Sequence, residues 1–495
     1  MIWTSWLLVG IYILMLLQAF FNYKRINNSN NFISTNRKTP NNSAVISIQM
    51  TAAAVPIFLI LPTVSTTSGG LIKGIILSVA VMVGTVASYL LIAERMRIYS
   101  EITGDNHTVP SYIAARFGDS SGWLRAFSAS IITVFMVLLS SFTLSVAANI
   151  AAQTFGWSKT SAAILICGAS MVYLYLGGIA SSISADRFRS LIVLGTAIAI
   201  FGFIIFELIV GNNDHSSVKM IPRTLQEQNI SVLNIFSCMG IAFGCFGFPT
   251  AIKRYLMIKD RKPRKRFSFT ALVWCLISSA AMLFLMYIIT SLPSVTDFLK
   301  DFFIGIENEK TIIIFNSVID SLLFVSLMII LMAVTDGAVL AAATTFSSDI
   351  FNVSLTHETD DKKKLMTNKI TVIIVGIAAF ILALGEEPMP IMEPAFIWAT
   401  MGACFGPVIL FSLYCRRLTT KGAVASITSG LLTILIWKFV LSSLGGIFLL
   451  YEIVPGFIVS TAVLYGVSYL DRQKPSPRIL NEFGRMTEMV KMQRK

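Results

Sequence analysis

Charge is what this 495-residue sequence has least of. Asp, Glu, Lys and Arg together make up 13% of it, about half the 25% of an ordinary soluble domain. That scarcity excludes a chain wrapped on all sides by a solvated surface. Histidine is scarcer still. The three, His107, His215 and His357, fall in polar stretches between apolar runs, and none forms a metal-type pair. There is no Walker A loop and no nucleophile elbow, so the sequence carries no motif of a soluble enzyme. The six cysteines all lie in or at the edge of apolar segments, which leaves no disulfide framework in an outer loop. No basic residue precedes the first apolar run, Ile2 to Phe21. The run therefore lacks the charged start of a signal peptide and reads as a retained span.

What the chain has in excess is apolar length. Hydrophobic residues are 55% of it and the mean hydropathy is +0.75. Runs near twenty residues are helices in lipid, because every backbone group must be satisfied within its own segment. The reading is an all-α polytopic membrane protein with thirteen spans, at 2–21, 44–69, 74–94, 124–152, 161–180, 190–211, 232–256, 268–292, 311–346, 369–385, 395–415, 422–442 and 446–470. The Asn-rich stretch from Asn27 to Asn42 is a polar loop. The net charge of +13 follows the positive-inside rule and does not call for nucleic acid. Of the 39 Lys and Arg residues, 32 follow odd-numbered spans or lie in the tail 471–495. This arrangement places the tail in the cytoplasm and the N-terminus outside, in a cytoplasmic (inner) membrane.

One carboxylate stands out. Asp336, in L331-M-A-V-T-D-G-A-V-L-A-A-A-T-T-F-S-S-D-I350, has at least ten uncharged residues on either side. A charge in hydrocarbon normally faces a bundle interior and serves an ion or substrate path. The alternative is a polar residue hydrogen-bonded across a helix interface. Small residues around it, Ala333, Gly337, Ala338 and Ala341 to Ala343, allow a neighbouring helix close. Pro56 and Pro62 predict a broken second span, framed by Gly69 and Gly70, and Pro249 predicts an interruption near the inner end of the seventh. Interrupted helices line sites in many transporters, and packing kinks are the competing reading. Gly240, Gly244 and Gly247 form one close-packing face.

Four segments together resemble the sodium/solute symporter family: T108-V-P-S-Y-I-A-A-R-F-G118, G177-G-I-A-S-S-I-S-A-D186, F246-G-F-P-T-A-I-K-R-Y255 and S348-D-I-F351. Within that family, F396-I-W-A-T-M-G-A-C-F-G-P-V-I-L-F-S412, K421-G-A-V-A-S426 and L450-Y-E-I-V-P-G-F457 are closest to the sodium/proline symporters. The resemblance implies a ten-helix core of two inverted five-helix repeats, at 44–211 and 232–415, with two further spans in 422–470. It implies alternating access around one solute and one or more cations. It also implies a solute site at Ala52, Ala54, Val55, Pro56, Leu139 and Ile241. The main cation site falls on the carbonyls of Met50 and Ala53 and on Ala333 and Val334.

The departures bear on coupling. Where relatives carry an acidic residue and a serine on the second span, this chain has Ala52 and Ala54. The two adjacent hydroxyls of the ninth span are Ala333 and Val334, so the usual sodium site is degenerate. Asp336 stands where relatives commonly carry serine, and Asp186 matches a family aspartate. The pair is the candidate for relocated Na⁺ binding or for H⁺ coupling. The expected function is secondary symport of a small organic, amino-acid-like solute, proline among the candidates. A proton-coupled carrier and a non-transporting membrane sensor are the alternatives. No cofactor besides the coupling ion, no nucleic acid and no obligate protein partner is expected; the partners are the solute and membrane lipid.

Overall fold

The computed structural model describes residues 2–23, 26, 28–65, 70–104, 107–210, 230–259, 265–291, 318–351, 361–385 and 389–494. His215, His357, Gly69, the basic residues Lys24, Arg25, Lys219, Arg223, Arg261, Lys262, Arg264, Lys300, Lys310 and Lys495, and the start of the ninth expected span (311–317) lie outside the described residues.

Among the described residues the chain is helical, with one isolated bridge between Thr39 and Ile258 and no strand. The main helices are α1 (Ile2–Tyr23), α2 (Asn41–Val64), α3 (Ile72–Ile102), α4 (Val109–Phe117), α5 (Trp123–Phe155), α6 (Lys159–Val210), α7 (Val232–Phe246) and α8 (Pro249–Met257). They continue as α9 (Lys265–Ser291), α10 (Val318–Thr345), α11 (Asp361–Ala383), α12 (Pro394–Ser412), α13 (Thr420–Phe439), α14 (Ile453–Leu470) and α15 (Pro477–Arg494). Nine described helices are long and apolar enough to cross a membrane, or ten if the bent α7–α8 pair is one span. Each expected span overlaps a described helix among α1–α14, the spans at 2–21 and 268–292 falling on α1 and α9, whose described apolar parts are shorter.

Burial separates centre from rim. Of the most apolar windows, 94% of α2 and 89% of the α10 segment is buried, against 22% of the segment that contains α13. α2 and the α10 segment thus lie in the core of the bundle, and the segment that contains α13 lies at its rim. Contact between α2 and α10 is close because Gly337 has no side chain. A Cβ there would lie 2.9 Å from Thr51 Cβ.

Two expected interruptions turn out differently. The second span is not broken. Instead, α2 stays helical and widens into π-turns over Gln49–Ala53 and Val55–Ile60. Pro56 lacks an N–H, and a looser register absorbs that loss without ending the helix. Ahead of Pro249 the chain does bend: α7 and α8 meet at 40°, with Phe248 in extended conformation.

The fifth and sixth expected spans form one helical element, α6, turned at Gly178 (φ 49°, ψ −142°). Only glycine adopts this conformation readily. A Cβ there would also lie 2.7 Å from the Phe32 carbonyl oxygen. The segment 181–189, expected as a cytoplasmic loop, is therefore helix, and Arg189 is fully buried.

The tail also departs from a bare basic extension. Ile479, Met486 and Val490 of α15 are buried, and the helix packs on the C-terminal end of α3. Tyr99 donates to Glu482 at 3.3 Å, and the Arg116 guanidinium lies 5.0 Å above the Phe483 ring.

Candidate functional site

The T108-V-P-S motif folds as a capping box: Thr108 and Ser111 satisfy each other's backbone N–H groups at the start of α4. That fixes Tyr112 and Arg116 toward the end of α12. The Tyr112 and Ser412 hydroxyls lie 2.9 Å apart, and Arg116 donates to the Ser412 and Cys415 carbonyls at 2.8 Å each. Deeper in the bundle, the Thr143 and Thr335 hydroxyls join α5 to α10 at 2.7 Å.

Next to Thr335, Asp336 points to α6. It accepts from the Tyr173 hydroxyl and from Arg189 Nη2 at 2.5 Å. Tyr173 precedes the Gly178 turn and Arg189 follows it, so the turn brings both to one carboxylate. Arg189 Nη1 lies 3.4 Å from Asp186, one helical turn earlier. Asp186 in turn accepts from Ser47 on α2 and lies 3.5 Å from Arg254 Nη2 on α8. Arg254 Nε donates to Ser47 at 2.6 Å and its Nη1 to the Thr250 carbonyl at 2.9 Å. The chain Tyr173–Asp336–Arg189–Asp186–Ser47–Arg254 crosses four helices with every member buried. Its two carboxylates and two guanidiniums balance. Burial without that balance would be prohibitive. Asp336 Oδ1 remains buried without a hydrogen-bond partner among the described residues.

A second polar group lies at the other end of α10. Arg125 of α5 meets Asp349 at 2.7 Å and the Ser348 carbonyl at 3.3 Å. The buried Lys253 of α8 donates to Thr344. The S348-D-I-F351 motif is thus a π-turn tied to α5.

The expected solute-site residues Ala52, Ala54, Val55, Pro56, Leu139 and Ile241 are all buried, as are Met50, Ala53, Ala333 and Val334. Their helices contact one another. α10 lies between α2 and α5, while α12 contacts both the second π-turn of α2 and the end of α7. Trp398 of α12 donates to the Ile241 carbonyl at 2.8 Å and its ring packs on Phe248. Gly244 makes room for it; a Cβ there would fall 2.0 Å from Trp398 Nε1. Asp336 and Asp186 join one cluster, but Arg189 stands between them. Sequence reasoning missed Arg189, Arg254 and Tyr173 as site residues because it counted the two arginines only as markers of the inner side and gave Tyr173 no role. The i, i+3 spacing of Asp186 and Arg189 was the available signal.

Among the described residues no group of three or more His, Cys, Asp or Glu could hold a metal ion.

Comparisons place this geometry among known proteins. Residues 5–430 match the model of the sodium:solute symporter family. A sodium/proline symporter of Staphylococcus aureus is 25% identical over 503 residues, covering 99% of this chain and 97% of the relative. That of Staphylococcus aureus strain Newman is 25% identical over 504 residues, with the same coverage. Among solved structures, a Na⁺-coupled sialic acid symporter in a substrate-bound outward-open state superposes with TM-score 0.71 at 16% identity, covering 95% of this chain and 98% of that one. At that identity the likeness speaks for the fold.

Proposed function

The chain belongs to the sodium:solute symporter family, a family of membrane transporters and not of enzymes, and from that membership we propose that it is a Na⁺-coupled symporter of a small amino-acid-like solute. Proline is the first solute to try, since the relatives covering the whole chain are sodium/proline symporters. The proposed architecture is thirteen spans with inverted repeats at 44–211 and 232–415, the N-terminus outside and the tail in the cytoplasm. The basic asymmetry of the loops supports that orientation, and a reporter fused after Lys495 that works only outside would overturn it.

The proposed solute site lies along the π-turns of α2, at Ala52, Ala54, Val55 and Pro56, with Leu139 of α5 and Ile241 of α7. The wide turns support this, because π-turns occur mostly where a helix carries a function. The proposed ion site uses the Met50 and Ala53 carbonyls beside Ala333 and Val334, where α2 and α10 touch. The observation that carries coupling is the buried carboxylate of Asp336, about one helical turn (roughly 5.4 Å) from that contact. In this reading the Asp336 carboxylate, tied to Asp186 through Arg189, shapes the field at an ion held by neutral carbonyls. A second reading, proton coupling, rests on the unpartnered Asp336 Oδ1.

Uptake of labelled solute into proteoliposomes under an imposed Na⁺ or pH gradient tests both. The Na⁺ reading expects concentrative uptake that needs Na⁺ and varies little with pH. The proton reading expects uptake that follows the pH gradient without Na⁺. Asp336→Asn removes the charge with little change of shape and is expected to abolish accumulation while leaving exchange. Unchanged concentrative uptake by this variant would return Asp336 to a purely structural role.

A further inference from the structure

We propose that Arg189 is a tethered cation: its guanidinium fills the place between Asp186 and Asp336 that a free Na⁺ would otherwise take, so this carboxylate pair binds no ion until Arg189 is removed. The inference rests on reading the chain as a cation-coupled carrier, but its test needs no transport.

The geometry carries it. One guanidinium reaches both carboxylates, at 3.4 Å and 2.5 Å, and all three side chains are at 0% exposure. Arg254 cannot replace it. That side chain is held by Ser47 and the Thr250 carbonyl and approaches only Asp186. With both arginines the cluster sums to zero charge. Without Arg189 it sums to minus one, in a site that water does not reach. The oxygens that contact the guanidinium, and that its removal would deprive of that partner, are Asp336 Oδ2, Asp186 Oδ1 and the Tyr173 hydroxyl. Asp336 Oδ1 is already buried and unpartnered, so it offers lone pairs that the guanidinium leaves unused. A buried net charge of minus one ringed by hard oxygens selects a small monovalent cation. A plain structural ion pair would leave a damaged core in its place, with no ion affinity.

The test uses the purified full-length protein in nanodiscs, with ²²Na⁺ binding counted per chain and thermal unfolding followed in NaCl and in choline chloride. Wild type is expected to bind at most one Na⁺, at the α2–α10 contact. Arg189→Met is expected to bind one more and to gain a saturable Na⁺-dependent rise of the unfolding midpoint of at least about 2 °C. Arg189→Lys, which keeps the charge, should match wild type. Arg189→Met with Asp336→Ser should lose the extra ion. Two Na⁺ per wild-type chain would overturn the proposal even if Arg189→Met does not fold. So would a folded Arg189→Met that binds no additional Na⁺, or an extra ion that survives the loss of Asp336. A wild type that binds no Na⁺ at all would sink the proposed coupling, while the gain in Arg189→Met would still decide the tethered cation.

Discussion

Breaking the Arg189–Asp336 pair from one side is expected to be far worse than removing it whole. Asp336→Leu leaves the Arg189 guanidinium buried with only Asp186 in reach, at 3.4 Å. Arg189→Met leaves two buried carboxylates facing one arginine. Stranding one partner of a buried ion pair costs about 3–5 kcal/mol, because the desolvation of the remaining charge is no longer offset. The second carboxylate near Arg189 puts Asp336→Leu at the low end, about 3 kcal/mol. The double replacement removes both charges and fills the space with side chains of similar volume, an exchange that is often neutral or stabilising. The two changes should therefore be coupled by at least about 2 kcal/mol in a double-mutant cycle. Unfolding of the four proteins by dodecyl sulfate, supplied as its choline salt, in mixed micelles measures this. Choline must replace Na⁺ throughout, so that no ion enters the vacated site. Additivity within about 0.5 kcal/mol would refute the reasoning. It would mean that the two side chains do not depend on each other for their charge balance.

Gly244→Ala forces a Cβ into the Trp398 ring and breaks its bond to the Ile241 carbonyl. A loss of about 1–3 kcal/mol and a shifted tryptophan emission are expected, and native stability with native emission would contradict the packing. Gly178→Ala should cost at least about 1–3 kcal/mol, since its backbone conformation and the Phe32 carbonyl both reject a side chain; an unchanged unfolding midpoint would show that α6 does not turn there. Met486→Asp places a carboxylate where α15 is buried against the C-terminal end of α3. It should free the tail, read as faster tryptic cleavage at Arg478 and Arg485, and wild-type cleavage rates would count against the docked helix.

The amino-acid sequence by itself determined the class and the placement of most helices. Runs such as 124–152 and 395–415 can only be helices in a solvent without hydrogen-bond partners, and the structure puts helices at Trp123–Phe155 and Pro394–Ser412. It also singled out Asp336, because an isolated charge in an apolar run is visible without any fold. The glycines ahead of Pro249 were legible for the same reason, as close packing and a bend need particular residues at particular spacings. The partners of Asp336 were not legible. Arg189 and Arg254 looked only like basic residues that mark the inner side, since composition counts a basic residue without knowing what lies across from it. Only the turn at Gly178 and the packing of α6 on α10 bring Arg189 to Asp336, more than a hundred positions away in the chain. The second span shows the same limit from the other side. Proline removes a donor wherever it stands, but whether the helix breaks or widens depends on how tightly neighbours confine it. The bundle around α2 confines it on nearly all sides, and the helix widens.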